Sequence, residues 1–128
     1  MTAGRILVVD DKQRVTQLLG ILLEEAGYEV VSETDPRLAL EATRGGSFDL
    51  VLCDIVMPSM SGYDFCQRLR AHPATARVPL LFVSSKEERE ASLTGSIVGG
   101  DGFVEKPFDR EALLAKVEAL LRRGVEQG

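Results

Sequence analysis

The sequence predicts an α/β domain in which a doubly wound, five-stranded parallel sheet carries helices on both faces. Two observations lead to this fold class. Unbroken apolar runs of about four residues are typical of strands buried on both faces of a parallel sheet, and helical patterns separate one run from the next. The runs lie at 6–9, 50–53, 80–83 and 102–104, and a less buried strand is predicted at 28–33.

Two amphipathic helices are predicted in the first half of the chain. Residues 12–26 form the first, and Gly27 ends it as glycine commonly does just beyond a helix. The second begins at Asp35-Pro36, a capping residue followed by proline at the first helical position. The predicted apolar stripe of the first helix consists of Val15, Leu18, Leu19, Leu22 and Ala26.

Two later helices are predicted from their caps and their apolar faces. Ser61, with Asp64 three residues on, forms a capping pair for a helix that packs through Phe65 and Leu69. Asp109 caps the last helix. The apolar face of that last helix consists of Leu113, Leu114, Val117, Leu120 and Leu121.

The predicted helix at 87–98 differs from the other four. Its second half contains three hydroxyl residues and Gly95, all poor helix formers, and its apolar stripe is thin. A helix with few buried contacts and poor propensity belongs to the least stable part of a fold. Two interpretations stay open: a frayed surface helix, or a segment that shifts when a neighbouring site changes.

Composition limits the class of protein. The 128 residues suit about one domain, predicted at 4–123 with a polar C-terminal tail at 124–128. The net charge of −5 argues against nonspecific binding to nucleic acid. No apolar stretch approaches the ~18–20 residues of a membrane span. We therefore expect a soluble, cytoplasmic domain that binds neither a membrane nor nucleic acid directly.

Polar residues follow or end the predicted buried strands. They are Asp10 and Asp11, Asp54, Ser84, and Lys106. Because ligands of open parallel sheets bind outside the carboxyl ends of the strands, we expect these side chains to converge there. Neighbouring carboxylates raise one another's pKa unless a cation compensates them. Mg²⁺, which binds through one or two carboxylates, waters and phosphate oxygens, is the natural candidate.

Taken alone, the other two polar residues allow more than one interpretation. Lys106 could be a structural ion-pair partner of the aspartates or a clamp for phosphoryl oxygens. Ser84 alone fits a capping residue. Together with Asp54, however, they form a set suited to moving a phosphoryl group onto an aspartate: a carboxylate nucleophile, a magnesium site, a hydroxyl and a lysine.

The chain resembles the receiver domain of two-component response regulators. The resemblance covers roughly residues 4–123 and rests on several elements in the right order. They are Val8-Val9-Asp10-Asp11, Asp54 followed by Met57-Pro58 and Gly62, Ser84-Ser85, and the run 99–108 that contains Lys106-Pro107. The resemblance implies the flavodoxin-like strand order 2-1-3-4-5 and helices on both faces.

The resemblance also implies a role for each acid. Asp54 would be the phosphoacceptor. Asp11 and Asp54, together with the backbone carbonyl of Val56, would hold Mg²⁺, and Asp10 would act mainly through a bound water. The protein would catalyse only its own phosphorylation and dephosphorylation, and it would not be a turnover enzyme.

The remaining site residues are assigned in the same way. Ser84 would hydrogen-bond one phosphoryl oxygen and Lys106 would pair with another, with a cis Lys106-Pro107 bond. Phe103 matches the aromatic switch position, which is commonly tyrosine in this family. Without a hydroxyl, Phe103 would report only through packing.

The implied function is a phosphorylation-controlled switch whose phosphodonor is a sensor histidine kinase or a phosphotransfer protein. Its output would be a downstream effector protein or a homodimer, through the 87–98 helix, the fifth strand and the last helix. No recognition helix for DNA is present. The chain is therefore either a stand-alone messenger or a receiver from a longer protein.

Three other classes are weighed against this one. A pseudo-receiver that works without phosphate would usually have lost one of the site residues, and here all are present. A flavodoxin-like electron carrier needs a phosphate-cradling loop after the first strand, where this chain has Asp10 and Asp11. A phosphatase with an aspartyl intermediate usually has a second acid two residues after its nucleophile, where this chain has Val56.

Overall fold

The structure, a computed structural model, describes residues 4–85, 87 and 101–127, with the side chains of 124–127 excepted. Five strands and four helices lie in this part of the chain. The strands are β1 (Arg5–Val9), β2 (Glu29–Glu33), β3 (Leu50–Cys53), β4 (Leu80–Ser85) and β5 (Gly102–Lys106). The helices are α1 (Gln13–Glu25), α2 (Pro36–Gly45), α3 (Gly62–Ala71) and α4 (Arg110–Gln127).

The five strands form one parallel sheet in the order β2-β1-β3-β4-β5. The predicted fold class and strand order are thus confirmed. β1 and β3 are in register through Val9 and Cys53, so the residues that follow these two strands start side by side. β4 and β5 are in register up to Ser85 and Lys106, which brings their carboxyl ends to the same edge.

The sheet separates two hydrophobic cores. Alternate strand residues contribute to each, since side chains of a strand point to opposite faces. One core packs under α2 and α3, through residues such as Leu40 and Phe65. The other packs under α1 and α4, through residues such as Leu19 and Val117. Strand β2 at the edge is only partly buried, as predicted.

The predicted helix signals are confirmed. The Asp35 side chain accepts the Arg37 N–H at the start of α2, and the Ser61 hydroxyl accepts the Asp64 N–H at the start of α3. The Ala112 N–H donates to the Asp109 carboxylate at 3.1 Å. After α1 the chain reverses at Gly27, whose φ of 100° is in the left-handed region that favours glycine.

The predicted apolar stripe of α1 is wrong in part. Leu19 is buried, but Leu18 is 49% exposed and Ala26 is also exposed. The helix is rotated so that its buried face consists of Thr16, Leu19, Gly20 and Leu23. A Cβ on Gly20 would lie 3.9 Å from Val30 and Ser32 side-chain atoms, an ordinary contact distance, so this face of the helix lies against β2. Leu18 lies on the opposite, outer side of the helix.

Two predicted segments, the helix at 87–98 and the tail at 124–128, are described only in part. The helix predicted at 87–98 lies, apart from residue 87, outside the described residues. Residues 124–127, which we predicted as a polar tail, continue the backbone of α4. No helix in the described part of the chain is both long and apolar enough to cross a bilayer.

Candidate functional site

Three aspartates meet where β1 and β3 end. Asp10 and Asp11 follow β1 and Asp54 follows β3, as the register of these neighbouring strands requires. One carboxylate oxygen from each of the three lies within 4.8 Å of the others. Asp10 and Asp54 are each only 1% exposed. The structure therefore brings together all three acids that the sequence predicted to converge.

Asp54 is held by hydrogen bonds through its backbone and its carboxylate, and by a lysine at the end of β5. The Asp54 N–H donates to the Val9 carbonyl at 2.9 Å, and the Ile55 N–H donates to Asp54 Oδ1 at 2.8 Å. Lys106, at the end of β5, places its Nζ 3.6 Å from the same Oδ1 and 3.0 Å from Asp10 Oδ2. The predicted lysine thus lies between the central acid and one of the acid pair.

A second lysine, Lys12, was missed by the sequence reasoning. Its Nζ lies 3.7 Å from Asp54 Oδ2 and 3.4 Å from Asp11 Oδ1, and its backbone N–H donates to Asp10 Oδ1 at 2.9 Å. Burial lowers the pKa of Lys12, but the three carboxylates outweigh that effect, so its pKa is raised and the ammonium form is favoured. The available signal was its position directly after the acid pair, where a lysine side chain can fold back over them.

Ser84 lies near the carboxyl end of β4, the neighbour of β3 in the sheet. It is 1% exposed, and among the described residues its hydroxyl has no hydrogen-bond partner. A buried hydroxyl without a partner costs about 1–3 kcal/mol of desolvation. The hydroxyl is therefore available as a donor to a ligand at the carboxyl end of β4.

The turn that carries Asp54 passes very close to the start of α3. The Gly62 N–H donates to the Ile55 carbonyl at 2.7 Å. A Cβ at position 62 would overlap the Asp54 carbonyl oxygen and lie 2.9 Å from Ile55 Cα. Both neighbours are backbone atoms, so only glycine fits at this position. In the same turn, the side chain of Val56, the residue after Ile55, is 46% exposed.

Comparison with known protein families decides the class of this domain. The sequence model for the response regulator receiver domain matches residues 6–118, which is most of the chain. The chain belongs to the response regulator receiver family.

Known proteins similar to this receiver domain agree with the assignment. The nisin biosynthesis regulatory protein NisR of Lactococcus lactis is 40% identical over 119 residues, covering 93% of this chain and 51% of NisR. The sensory transduction protein RegX3 of Mycobacterium tuberculosis is 37% identical over 120 residues, covering 93% of this chain and 51% of RegX3. The chain thus spans about half the length of these curated relatives.

A solved structure supports the same fold. The chemotaxis response regulator CheY4 of Vibrio cholerae is similar with a TM-score of 0.83 and 32% identity. The similarity covers 93% of this chain and 99% of that chain. Receiver domains of this family receive phosphoryl groups from histidine kinases and bind Mg²⁺ at an acidic pocket, so the expected chemistry can be compared with the residues present.

The receiver's acid cluster fits Mg²⁺ by its chemistry. The three acids offer only hard oxygen ligands, with no histidine or cysteine in the cluster, and their oxygens lie close enough for one ion to contact more than one of them. Two of the three are buried, so they would otherwise rely on the lysines for compensation.

Phe103 lies on β5 and is partly buried. Its ring packs 5.4 Å from the ring of Phe82, which in turn contacts Tyr63 edge-on at 5.2 Å. The Phe103 carbonyl accepts a hydrogen bond from the Lys116 ammonium of α4. The aromatic residue of this receiver therefore connects the sheet core to α4 through packing and backbone contacts.

Two more features lie at the strand ends of the receiver. The Lys106-Pro107 peptide bond is cis, as predicted. Cys53 is buried next to Asp54, and desolvation together with the nearby carboxylate raises the pKa of its thiol well above the usual value. A thiol in that state stays protonated at neutral pH and is a poor nucleophile.

Proposed function

We propose that this receiver domain is a phosphorylation-controlled switch that accepts a phosphoryl group on Asp54. The observation that carries the proposal is a buried central carboxylate with a lysine ammonium 3.6 Å from one oxygen and another 3.7 Å from the second. The two cations offset part of the negative charge of the cluster. A dianionic phosphoryl group can therefore approach a site that three aspartates alone would repel.

The phosphodonor we propose is the phosphohistidine of a sensor histidine kinase or a phosphotransfer protein. One Asp54 oxygen attacks the phosphorus, the phosphorus–nitrogen bond breaks, and the histidine nitrogen takes up a proton. The product on this chain is an aspartyl phosphate. The same residues would later promote attack of water on that phosphorus, so the domain acts catalytically only on its own modification.

The other site residues have defined tasks in this proposal. The Ser84 hydroxyl donates to one phosphoryl oxygen and thereby gains a partner that no described residue provides. Lys106 pairs with a second phosphoryl oxygen, since its Nζ lies close to the acceptor carboxylate. Both groups favour the phosphorylated state more than the free state.

A magnesium ion would be held by Asp11 and Asp54 with the Val56 backbone carbonyl, and by Asp10 through water. When bound, it supplies positive charge to the transferring phosphoryl oxygens. One carboxylate oxygen from each of the three acids lies within 4.8 Å of the other two, which supports this set of ligands.

The output partner we propose is a downstream effector protein or domain, or a second copy of the chain. Its contact surface would consist of residues 87–98 with β5 and α4. The hydrogen bond from the Lys116 ammonium to the Phe103 carbonyl joins α4 to β5, which supports a surface that contains both elements. Relatives such as RpaA of Synechocystis, named a DNA-binding dual master transcriptional regulator, are about twice as long as this chain. We propose a receiver domain at 4–123 and a cytoplasmic location.

One experiment tests both this switch and the second candidate function, a pseudo-receiver that works without phosphate. The protein is incubated with acetyl phosphate and Mg²⁺, and the intact mass is measured. We expect one added phosphoryl group on the wild type and none on Asp54→Asn. Asp64→Asn, which changes an exposed acid of α3, is the matched control and should be labelled like the wild type. Equal labelling of Asp54→Asn would refute the acceptor, and an unlabelled wild type would favour the pseudo-receiver.

A further inference from the structure

The two lysines divide the acid cluster between them. Lys106 contacts Asp10 Oδ2 at 3.0 Å and Asp54 Oδ1 at 3.6 Å. Lys12 contacts Asp11 Oδ1 at 3.4 Å and Asp54 Oδ2 at 3.7 Å. The proposed function gives Lys106 a direct contact with a phosphoryl oxygen, whereas Lys12 only helps to offset the negative charge of the metal-free cluster. The acids that Lys12 contacts are the two through whose side chains direct magnesium binding is proposed.

The two lysines also differ in how firmly they are held. The Lys106 side chain is only 16% exposed, whereas that of Lys12 is 47% exposed. Lys12 is the residue before the first turn of α1, and its side chain makes no capping hydrogen bond there. Its backbone is fixed by the Asp10 carboxylate, but its long stem is free to swing towards solvent. Lys12 can therefore leave the cluster more easily than Lys106.

We propose that Lys12 is a displaceable counter-cation that competes with the divalent ion for Asp11 and Asp54. This inference rests on the proposed function, because it takes those acids as the magnesium ligands. Without metal, the Lys12 ammonium offsets the repulsion between the two carboxylates. When a dication binds the same oxygens, like charges a few ångströms apart repel, so the ammonium has to move out. Lys12 thus stabilises the metal-free protein and weakens magnesium binding.

The expected size follows from the exposure of Lys12. A dication and an ammonium about 5 Å apart in a water-like medium repel enough to change a binding constant roughly tenfold. Because the side chain can swing away, only part of this repulsion persists in the bound state. We expect removal of the Lys12 charge to tighten magnesium binding by about fivefold.

The test is a calorimetric titration of metal-free protein with magnesium chloride at fixed ionic strength, combined with thermal unfolding in EDTA. Lys12→Gln should bind Mg²⁺ about fivefold more tightly than wild type and unfold at a lower temperature without metal. Lys12→Arg keeps the charge and should stay close to wild type in both measurements. Arg14→Gln is the matched control. It removes an exposed cation from the first turn of α1 that forms no ion pair with the cluster among the described contacts.

The outcomes separate this inference from the proposed function. If wild type binds Mg²⁺ and is labelled by acetyl phosphate, but Lys12→Gln binds Mg²⁺ equally or more weakly, the competition by Lys12 is refuted and the proposed function stands. Equal tightening by Arg14→Gln also overturns it, because net charge alone would then explain the effect. If wild type binds no Mg²⁺, the metal part of the proposed function fails, and this inference fails with it.

Discussion

The turn that presents Asp54 depends on Gly62, and replacing this glycine by alanine tests how the acceptor is held. The new Cβ would overlap the Asp54 carbonyl oxygen and lie 2.9 Å from Ile55 Cα and 3.0 Å from the Asp54 carbonyl carbon. Carbon atoms pack favourably at about 3.5–4.0 Å. All three obstacles are backbone atoms, so no side chain can rotate away. The start of α3 or the Asp54 turn has to shift.

The magnitude follows from two costs. Forcing a methyl group into a packed site typically costs about 1–3 kcal/mol. The shift also weakens the hydrogen bond from the Gly62 N–H to the Ile55 carbonyl, 2.7 Å long, which contributes about 1 kcal/mol. We therefore expect Gly62→Ala to lower the free energy of unfolding by about 3 kcal/mol. For a domain of this size that corresponds to a fall in Tm of about 12 °C.

The assay is urea unfolding followed by circular dichroism, with Gly45→Ala as the matched control. Gly45 is the last residue of α2, and a Cβ there would meet no atom within 4 Å. Alanine loses less backbone freedom than glycine on folding, so Gly45→Ala should leave stability unchanged or raise it by up to about 1 kcal/mol. If Gly62→Ala is as stable as wild type, the close approach of α3 to the Asp54 turn is not what fixes the acceptor.

Three further predictions concern the site and its output. Ser84→Ala should leave the metal-free protein as stable as wild type in urea unfolding, or up to about 1 kcal/mol more stable, because the buried hydroxyl has no described partner. The same change should slow labelling by acetyl phosphate, and labelling at the normal rate would show that Ser84 is not part of the site. Asp11→Asn should raise the stability of the metal-free protein by up to about 1 kcal/mol, because the relief of repulsion between carboxylates outweighs the loss of one partly exposed ion pair with Lys12. It should also weaken Mg²⁺ binding in calorimetry. A clear loss of stability in EDTA would show that Asp11 is a structural ion-pair partner. Beryllofluoride, a phosphoryl mimic, should change hydrogen exchange in β5 around Phe103, in α4 and in the segment 87–98, and changes confined to α1 would refute this output route.

The fold could be predicted largely from local signals. Buried parallel strands appear as continuous apolar runs. The caps at Asp35, Ser61 and Asp109 join residues no more than three positions apart, so a short stretch of sequence is enough to indicate them. Convergence of the acids followed from the same reasoning, because the carboxyl ends of parallel strands share one edge. These features require no knowledge of how distant elements pack.

The parts that sequence reasoning missed depend on such packing. The helical spacing of α1 allows two overlapping apolar rows, and the choice between them depends on which face of the helix packs against the sheet, which the spacing alone does not fix. The position of Lys12 depends on its stem folding back over carboxylates from two strands, which neither strand pattern indicates. The close contact at Gly62 joins residues from a turn and a helix start.

The most direct test of the account locates the phosphoryl group itself. The protein is phosphorylated with acetyl phosphate and Mg²⁺, reduced with borohydride, which converts an aspartyl phosphate to homoserine, and digested for peptide mass spectrometry. We expect homoserine at position 54 and at neither Asp10 nor Asp11, and no conversion when Mg²⁺ is removed with EDTA. Homoserine at Asp10 or Asp11, or phosphorylation on any side chain other than Asp54, would contradict the account.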